Sequence, residues 1–318
     1  MRNPAPVALF VYNRPAHTAR TLQALGANPL AAATDLVVFA DGPKSATQVA
    51  AVAETRAVVR AASGFRSLRL VEQPANLGLS RSITGGIAEL CASAGRVIAV
   101  EDDLQVAPCF LEFLNVALDR YQNDERVLQI SGYGFPMAPK DRASFLPIIS
   151  CWGWATWARA WKHYDPEMTA FEDLRFDAGR RHRFNLDGAY DYWGMARSQR
   201  DGHIDSWGIR WQMSLFARDG LVLYPPASLV ENTGVDSSGT HGAGVASLQR
   251  PVESGQGAAA WQWPSAVDVD PAAFDEVRAL LRAQRPSFAR GVLQRAARAI
   301  LPRRARVAVK SILKPPAP

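Results

Sequence analysis

The chain has 318 residues, 48% hydrophobic and 21% charged, with 23 Gly and 21 Pro. Those proportions belong to a globular protein with a sizeable core and exclude global disorder, collagen-like repeats and small disulfide scaffolds. The formal net charge is +6, unevenly placed: beyond Glu276 there is no acidic residue and there are eleven basic ones, so residues 1–276 are mildly acidic. A nucleic-acid-binding body would share the basicity, and this one does not. Cys91, Cys109 and Cys151 form no C-x-x-C pair, which points to a reducing compartment and away from structural zinc. The first residues lack the apolar core of a secretory leader, and no uncharged run reaches the ~20 residues of a spanning helix. A cytoplasmic location is therefore expected.

Short apolar runs then alternate with longer amphipathic ones. Val7–Tyr12 reads as a strand, and a helix opens at Pro15, a residue suited to a first helical turn. Leu36–Ala40 is the next strand, closed by Asp41-Gly42-Pro43. A helix over Ala46–Ala62, a strand over Ser67–Glu72 and a helix over Ser80–Ala94 follow. Arg96–Val100 is a fourth strand that runs into Glu101-Asp102-Asp103, ahead of a helix over Pro108–Tyr121 and a fifth strand over Val127–Ser131. This rhythm predicts an α/β fold with a mainly parallel, Rossmann-like sheet flanked by helices. In such folds ligands sit beyond the carboxyl ends of the strands. Three polar clusters fall there: Asn13-Arg14, Asp41-Gly42 and Glu101-Asp102-Asp103.

The second half is aromatic. Trp154, Trp157 and Trp161 are spaced three and four apart, which puts them on one face of a helix, a pattern more often core than site. Strands over Leu221–Tyr224 and Ser228–Val230 lead into a glycine-rich loop, Asn232–Gly244, of the kind that closes over ligands. A helix over Pro271–Arg285 precedes the basic end. There Val292, Leu293, Ala296, Ala297, Ile300 and Leu301 make an apolar face, and beyond Pro302 apolar residues alternate with Arg and Lys. Such segments lie on anionic membrane surfaces; a solvated end is the alternative. The expected division is a body over 1–268 and a helical basic tail over 269–318, with 286–314 facing a membrane.

The phosphate-binding signature G-x-x-x-x-G-K-[ST] is absent, and no G-x-G-x-x-G follows the first strand. A nucleotide would then be held by a divalent cation and side chains instead of a glycine cradle. Glu101-Asp102-Asp103 suits that need, because Mg²⁺ or Mn²⁺ shared between one carboxylate and diphosphate oxygens relieves the repulsion among three acids. The alternative is acids favoured ahead of the helix at Pro108.

The segment Val100-Glu101-Asp102-Asp103-Leu104-Gln105-Val106-Ala107-Pro108-Cys109-Phe110 resembles the E-D-D-L-x-V-A-P-x-F segment of N-acetylglucosaminyltransferase I and its relatives. These are inverting, Mn²⁺-dependent glycosyltransferases of the GT-A fold. In the same order, Asn13-Arg14, Asp41, Leu79-Ser80-Arg81, Cys151-Trp152-Gly153-Trp154, Asp205-Ser206-Trp207 and Thr240-His241-Gly242 are similar to that family's segments. Asn76-Leu77-Gly78-Leu79, Trp152–Trp157 and Gly239-Thr240-His241 resemble bacterial family 2-like sugar transferases. The resemblance spans about residues 7–245.

It implies that Asp103 is the metal ligand, that Glu101 and Asp102 contact the donor sugar and ribose, and that Asp41 reads the uracil edge. It also implies that Arg14 and Arg81, with Asn13 beside them, meet ribose or phosphate. Trp152 and Trp207 become candidates for a wall against the sugar, and His241 for contact with the diphosphate or metal. The family's base falls on Ser206 here, so Asp205 is the candidate base, with Asp236 and then Glu231 behind it. The implied function is metal-dependent, inverting transfer from a nucleotide-diphosphate sugar, UDP-linked, to a glycan or lipid-linked glycan acceptor. Its setting would be bacterial surface polysaccharide synthesis, peripheral on the inner face of the cytoplasmic membrane. Two rivals stand beside it: a catalytically silent GT-A-like scaffold at a membrane surface, and a sugar-nucleotide nucleotidylyltransferase. The second needs a Gly-rich loop after the first strand, where Tyr12-Asn13-Arg14-Pro15 stands instead.

Overall fold

The computed structural model describes residues 3–137, 141–234 and 261–284. The first strands, β1 (Val7–Val11) and β2 (Asp35–Ala40), are buried apolar runs, as strands covered on both faces must be. Between them α1 (Pro15–Gly26) starts on its proline and turns Leu22 and Leu25 inward. The region predicted as one helix from Ala46 opens as a 3₁₀ turn, Ala46–Gln48, and continues as α2 (Val49–Ala61). Then come β3 (Ser67–Glu72), α3 (Leu79–Ala94) and β4 (Arg96–Glu101). Gly95, at φ +76°, closes α3 in a left-handed cap that a side chain would strain. The short β5 (Leu104–Val106), α4 (Phe110–Arg120) and β6 (Val127–Ser131) complete the expected alternation.

Beyond it lie β7 (Ser144–Leu146), β8 (Trp154–Trp157) and α5 (Ala158–Trp161), then the helices α6 (Ala170–Phe176), α7 (Ala178–Phe184), α8 (Tyr192–Arg200) and α9 (Trp207–Phe216). The described chain ends with β9 (Leu221–Tyr224), β10 (Val230–Asn232) and α10 (Pro271–Ala283). Eight strands form one sheet in the order β3-β2-β1-β4-β8-β6-β9-β7. β3, β2, β1 and β4 run parallel, with Val7 level with Leu36 and Ile98. β8 enters antiparallel between β4 and β6, β9 runs parallel to β6, and β7 antiparallel to β9. β10 and β5 form a separate antiparallel ribbon. This is the expected α/β architecture, a mixed sheet flanked by helices.

Three expectations change. Trp154 and Trp157 lie in β8 instead of on a helix, and only Trp161 is helical. A strand turns side chains three apart to opposite faces. Trp154 stacks on Trp207, while Trp157 donates its indole N–H to the Leu118 carbonyl at 3.1 Å. All three tryptophans are nevertheless core, at 1%, 4% and 7% exposure. The strand predicted at Ser228–Val230 sits two residues later, because β10 pairs with β5. The boundary at 268 also moves. α10 buries Ala273, Val277 and Leu281 in the main core, and Arg278 pairs with Asp187, so this helix belongs to the body. The segment 286–314, expected to face a membrane, lies outside the described residues, and no described helix is long and apolar enough to cross a membrane.

Candidate functional site

β2, β1 and β4 are neighbours and parallel, so Asp41, Asn13-Arg14 and Glu101-Asp102-Asp103 emerge on one edge of the sheet. The acidic run follows directly from β4. Its backbone is pinned from two sides: Thr21 Oγ1 donates to the Asp102 carbonyl at 2.8 Å, and Thr233 donates to the Asp103 carbonyl through its amide (2.8 Å) and hydroxyl (3.0 Å). The Tyr12 amide donates to Asp102 Oδ2 at 3.2 Å, and Arg14 donates to Asp103 Oδ2 at 3.0 Å. Arg14 also stands 4.0 Å from Asp102 Oδ1.

Three carboxyl groups on consecutive residues cannot all ionise cheaply in a partly dry site. Burial, with Asp103 and Asp102 nearby, raises the Glu101 carboxyl well above the usual range, with Arg14 opposing. Asp102 is pushed up to about 7, first by burial and then by the Asp103 charge, against the pull of Arg14 and the Tyr12 amide. A cation at this edge would relieve the strain. Among the described residues no three His, Cys, Asp or Glu side chains group as a metal site. The donors at this edge are carboxylate oxygens, the kind a hard divalent ion takes, and Asp103 is the expected anchor.

Asp41 is tied into the chain that surrounds it. Its Oδ1 accepts from the amides of Leu77 (2.7 Å) and Gly42 (2.8 Å), and its Oδ2 from Asn76 Nδ2 (2.9 Å) and the Gly78 amide (3.0 Å). A carboxylate offers about four acceptor sites, and the chain itself fills them. At 5% exposure Asp41 positions the Asn76–Gly78 loop. Trp207 departs from expectation. Its ring is 5% exposed, stacked on Trp154 at 5.2 Å between centroids, so it is core and presents no open face. Trp152 is half-buried against Tyr133 at 5.0 Å. Trp152 stands two residues ahead of β8, whose first residue, Trp154, lies opposite Ala99 in β4.

Asp205 lies on the rim, 63% exposed, with Arg210 Nη1 at 2.7 Å. The same nitrogen donates to Ser80 Oγ at 3.0 Å, tying this acid to the start of α3. Ser206, where the family's base would fall, caps α9 by accepting from the Ile209 amide at 3.3 Å. Glu231 stands in β10 opposite Gln105, two residues before the Thr233 contact with Asp103. Arg81 is exposed in the first turn of α3 and Asn13 is half-buried after β1. Asp236 and His241 lie outside the described residues.

Sequence reasoning missed Thr233, Gly234 and Arg210. A Cβ on Gly234 would collide with Asp103 Oδ2, so this glycine permits the approach of its backbone to the acid. The available signal was the glycine-rich run from Asn232, which contains both Thr233 and Gly234. Arg210 had none, since its role comes from Asp205 and Ser80 meeting in space.

No protein-family model and no curated protein matches the chain. Among solved structures, S. aureus TarS is similar over 69% of this chain at 13% identity and a TM-score of 0.38; this chain spans 35% of TarS. A mannosyltransferase from Pyrobaculum calidifontis, solved with GDP-Man and Mn²⁺, is similar over 69% of this chain and 70% of its own, at 13% identity and a TM-score of 0.36. The galactosyltransferase LgtC, solved with donor and acceptor sugar analogs, is similar over 69% and 73%, at 11% identity and a TM-score of 0.34.

Proposed function

We propose that this chain is a metal-dependent, inverting glycosyltransferase that moves a sugar from a nucleotide-diphosphate donor, UDP-linked, to a glycan or lipid-linked glycan. The acceptor class suggests bacterial surface polysaccharide synthesis, with residues 286–314 resting on the anionic inner face of the cytoplasmic membrane. The observation that carries the reading is the meeting of Glu101-Asp102-Asp103 with Arg14 at adjacent ends of β4 and β1, beneath the Thr233-Gly234 backbone. A buried acidic run beside an arginine suits a ligand that brings both phosphate and cation.

Asp103 would hold Mn²⁺ or Mg²⁺, which would supply positive charge against a departing diphosphate. Arg14, freed from Asp103, pairs with a donor phosphate, a geometry its planar fork favours. Glu101 and Asp102 accept from donor hydroxyls. The Asn76–Gly78 loop, held by Asp41, borders the base-binding side. Asp205, oriented by Arg210, takes the proton of the attacking acceptor hydroxyl. Attack opposite the leaving group inverts the anomeric centre.

The test is slow donor hydrolysis with Mn²⁺ and a panel of nucleotide sugars, followed by nucleotide release. Asp103→Ala should abolish it with every donor, and equal rates in wild type and variant would remove the transferase reading. Asp205→Asn should retain donor binding and lose transfer to acceptor; unchanged transfer would hand the base to Asp236 or Glu231.

A further inference from the structure

A cleft of about 500 Å³ opens among α6, α7 and α8, lined by four arginines, the rings of Phe171 and Trp193, and two acids, Glu172 and Asp201. Trp193, Arg197 and Arg200 recur at helical spacing and so face the cleft together from α8. Across it, Phe171 stacks on Trp193 at 4.4 Å between centroids, and the Arg200 guanidinium covers Phe171 at 4.6 Å. The helices rest on a small core of their own around Leu174, Phe184 and Ile209, which holds the cleft open as a feature of the fold.

Its charge is not neutralised from within. Glu172 is shared by Arg200 at 2.6 Å and Arg175 at 3.5 Å, one anion for two cations. Arg181 spends one nitrogen on the carbonyls of Leu174 and Arg175, at 2.9 and 2.5 Å, and has no carboxylate partner among the described residues. Arg197 has no ion pair among them either, and Asp201 stands 4.0 Å from His203 instead of an arginine. Guanidinium groups that converge beside an aromatic ring suit an anionic head on a ring-shaped body.

We propose that this cleft is a second ligand site, for a saccharide bearing a phosphoryl group, with the phosphate on Arg197 and Arg200 and the sugar body in the cleft beside the stacked Phe171–Trp193 pair, whose Trp193 ring Arg181 also covers at 5.8 Å. The volume is in the range of small-ligand pockets, roughly 300–1,000 Å³. The loop that leaves α8 at Asp201 reaches Asp205 four residues later. The phosphoryl group has two sources, a free sugar phosphate or a lipid headgroup, and the chemistry that recognises it is the same.

Binding is measured by calorimetry on the full chain without nucleotide or metal, so that the outcome is separate from the transferase reading. The probes are glucose 6-phosphate, glucose and inorganic phosphate, with phosphatidic acid vesicles as the lipid arm. Glucose 6-phosphate should bind, glucose should not, and inorganic phosphate should bind more weakly. Arg197→Ala and Arg200→Ala should each weaken the phosphorylated probe about tenfold or more, the loss expected of one charge-assisted contact. Both side chains are exposed and outside the two cores, and unchanged thermal unfolding would establish that the variants fold. Vesicle binding in place of the soluble sugar phosphate, lost in Arg197→Ala, would assign the headgroup as the source. No binding of either phosphorylated probe, binding indifferent to both arginines, or equal binding of glucose would overturn the proposal. Donor turnover should be unchanged in Arg197→Ala.

Discussion

At the strand ends, charge is held in near-dry surroundings: Asp41 is 5% exposed and Asp102 9%, and the Arg14 and Asp103 side chains expose 17% each. In the cleft among α6, α7 and α8 it is held in water, with Arg200 and Glu172 at 46% and 44%. Coulomb attraction grows several-fold between those settings, and exposed pairs contribute about 0–1 kcal/mol. The edge of the sheet is therefore fixed before any ligand arrives, because its carboxylates are tied into the backbone of three separate segments. The cleft is exchangeable, since a ligand can take the place of Glu172 at little cost to the fold. The two arrangements of charge differ in kind, one anchored by the backbone and one held by exposed side chains.

The sharpest way to break that contrast is Asp41→Ala. Four donors lose their acceptor at a buried position, and each unsatisfied group costs about 1–3 kcal/mol before water enters. A loss near 3 kcal/mol in urea unfolding is expected, with the amides of Leu77 and Gly78 losing protection from exchange. A loss under about 1 kcal/mol would mean the edge is no more anchored than the cleft.

The next effect is on pH. The folded protein holds a proton on Asp102 up to about pH 7, whereas the unfolded chain releases it near 4. The folded state thus binds more protons between those values, so stability is fully present below pH 4 and is lost as pH rises through 7. Between pH 5 and 7 the metal-free protein should lose about 2 kcal/mol from this group, and Asp102→Asn should flatten the slope. A thermal midpoint that rises over that interval would contradict the burial of Asp102.

The anchored region is also the one the sequence made legible. Each of its elements is a local pattern: an apolar run, a proline at a helix start, an acid at a strand end. The parallel order then brings the ends of β2, β1 and β4 together without further information. The hydrogen bonds of Asp41 were not legible, because its four donors come from residues 42 and 76–78, and only folding sets those against it. The Trp154–Trp157–Trp161 spacing misled because β8 is inserted antiparallel into a parallel sheet, and pairing on both sides overrode the helical period. The cleft left almost no trace in sequence. Arg175, Arg181, Arg197 and Arg200 belong to three short helices, and nothing in their spacing joins α6 to α8.

The smallest effect is the most discriminating. Glu172→Gln removes the carboxylate that Arg175 and Arg200 share and keeps its size. Because all three side chains are about half exposed, stability should change by less than about 1 kcal/mol. If the cleft holds its charge for a ligand, the two released guanidinium groups should bind glucose 6-phosphate more tightly than in wild type, with the gain shrinking as salt is raised. A stability loss of 2 kcal/mol or more, with no gain in affinity, would show that Glu172 braces α6 against α8. The arginines would then be scaffold, and the distinction between an anchored edge and an exchangeable cleft would fail at its exposed end.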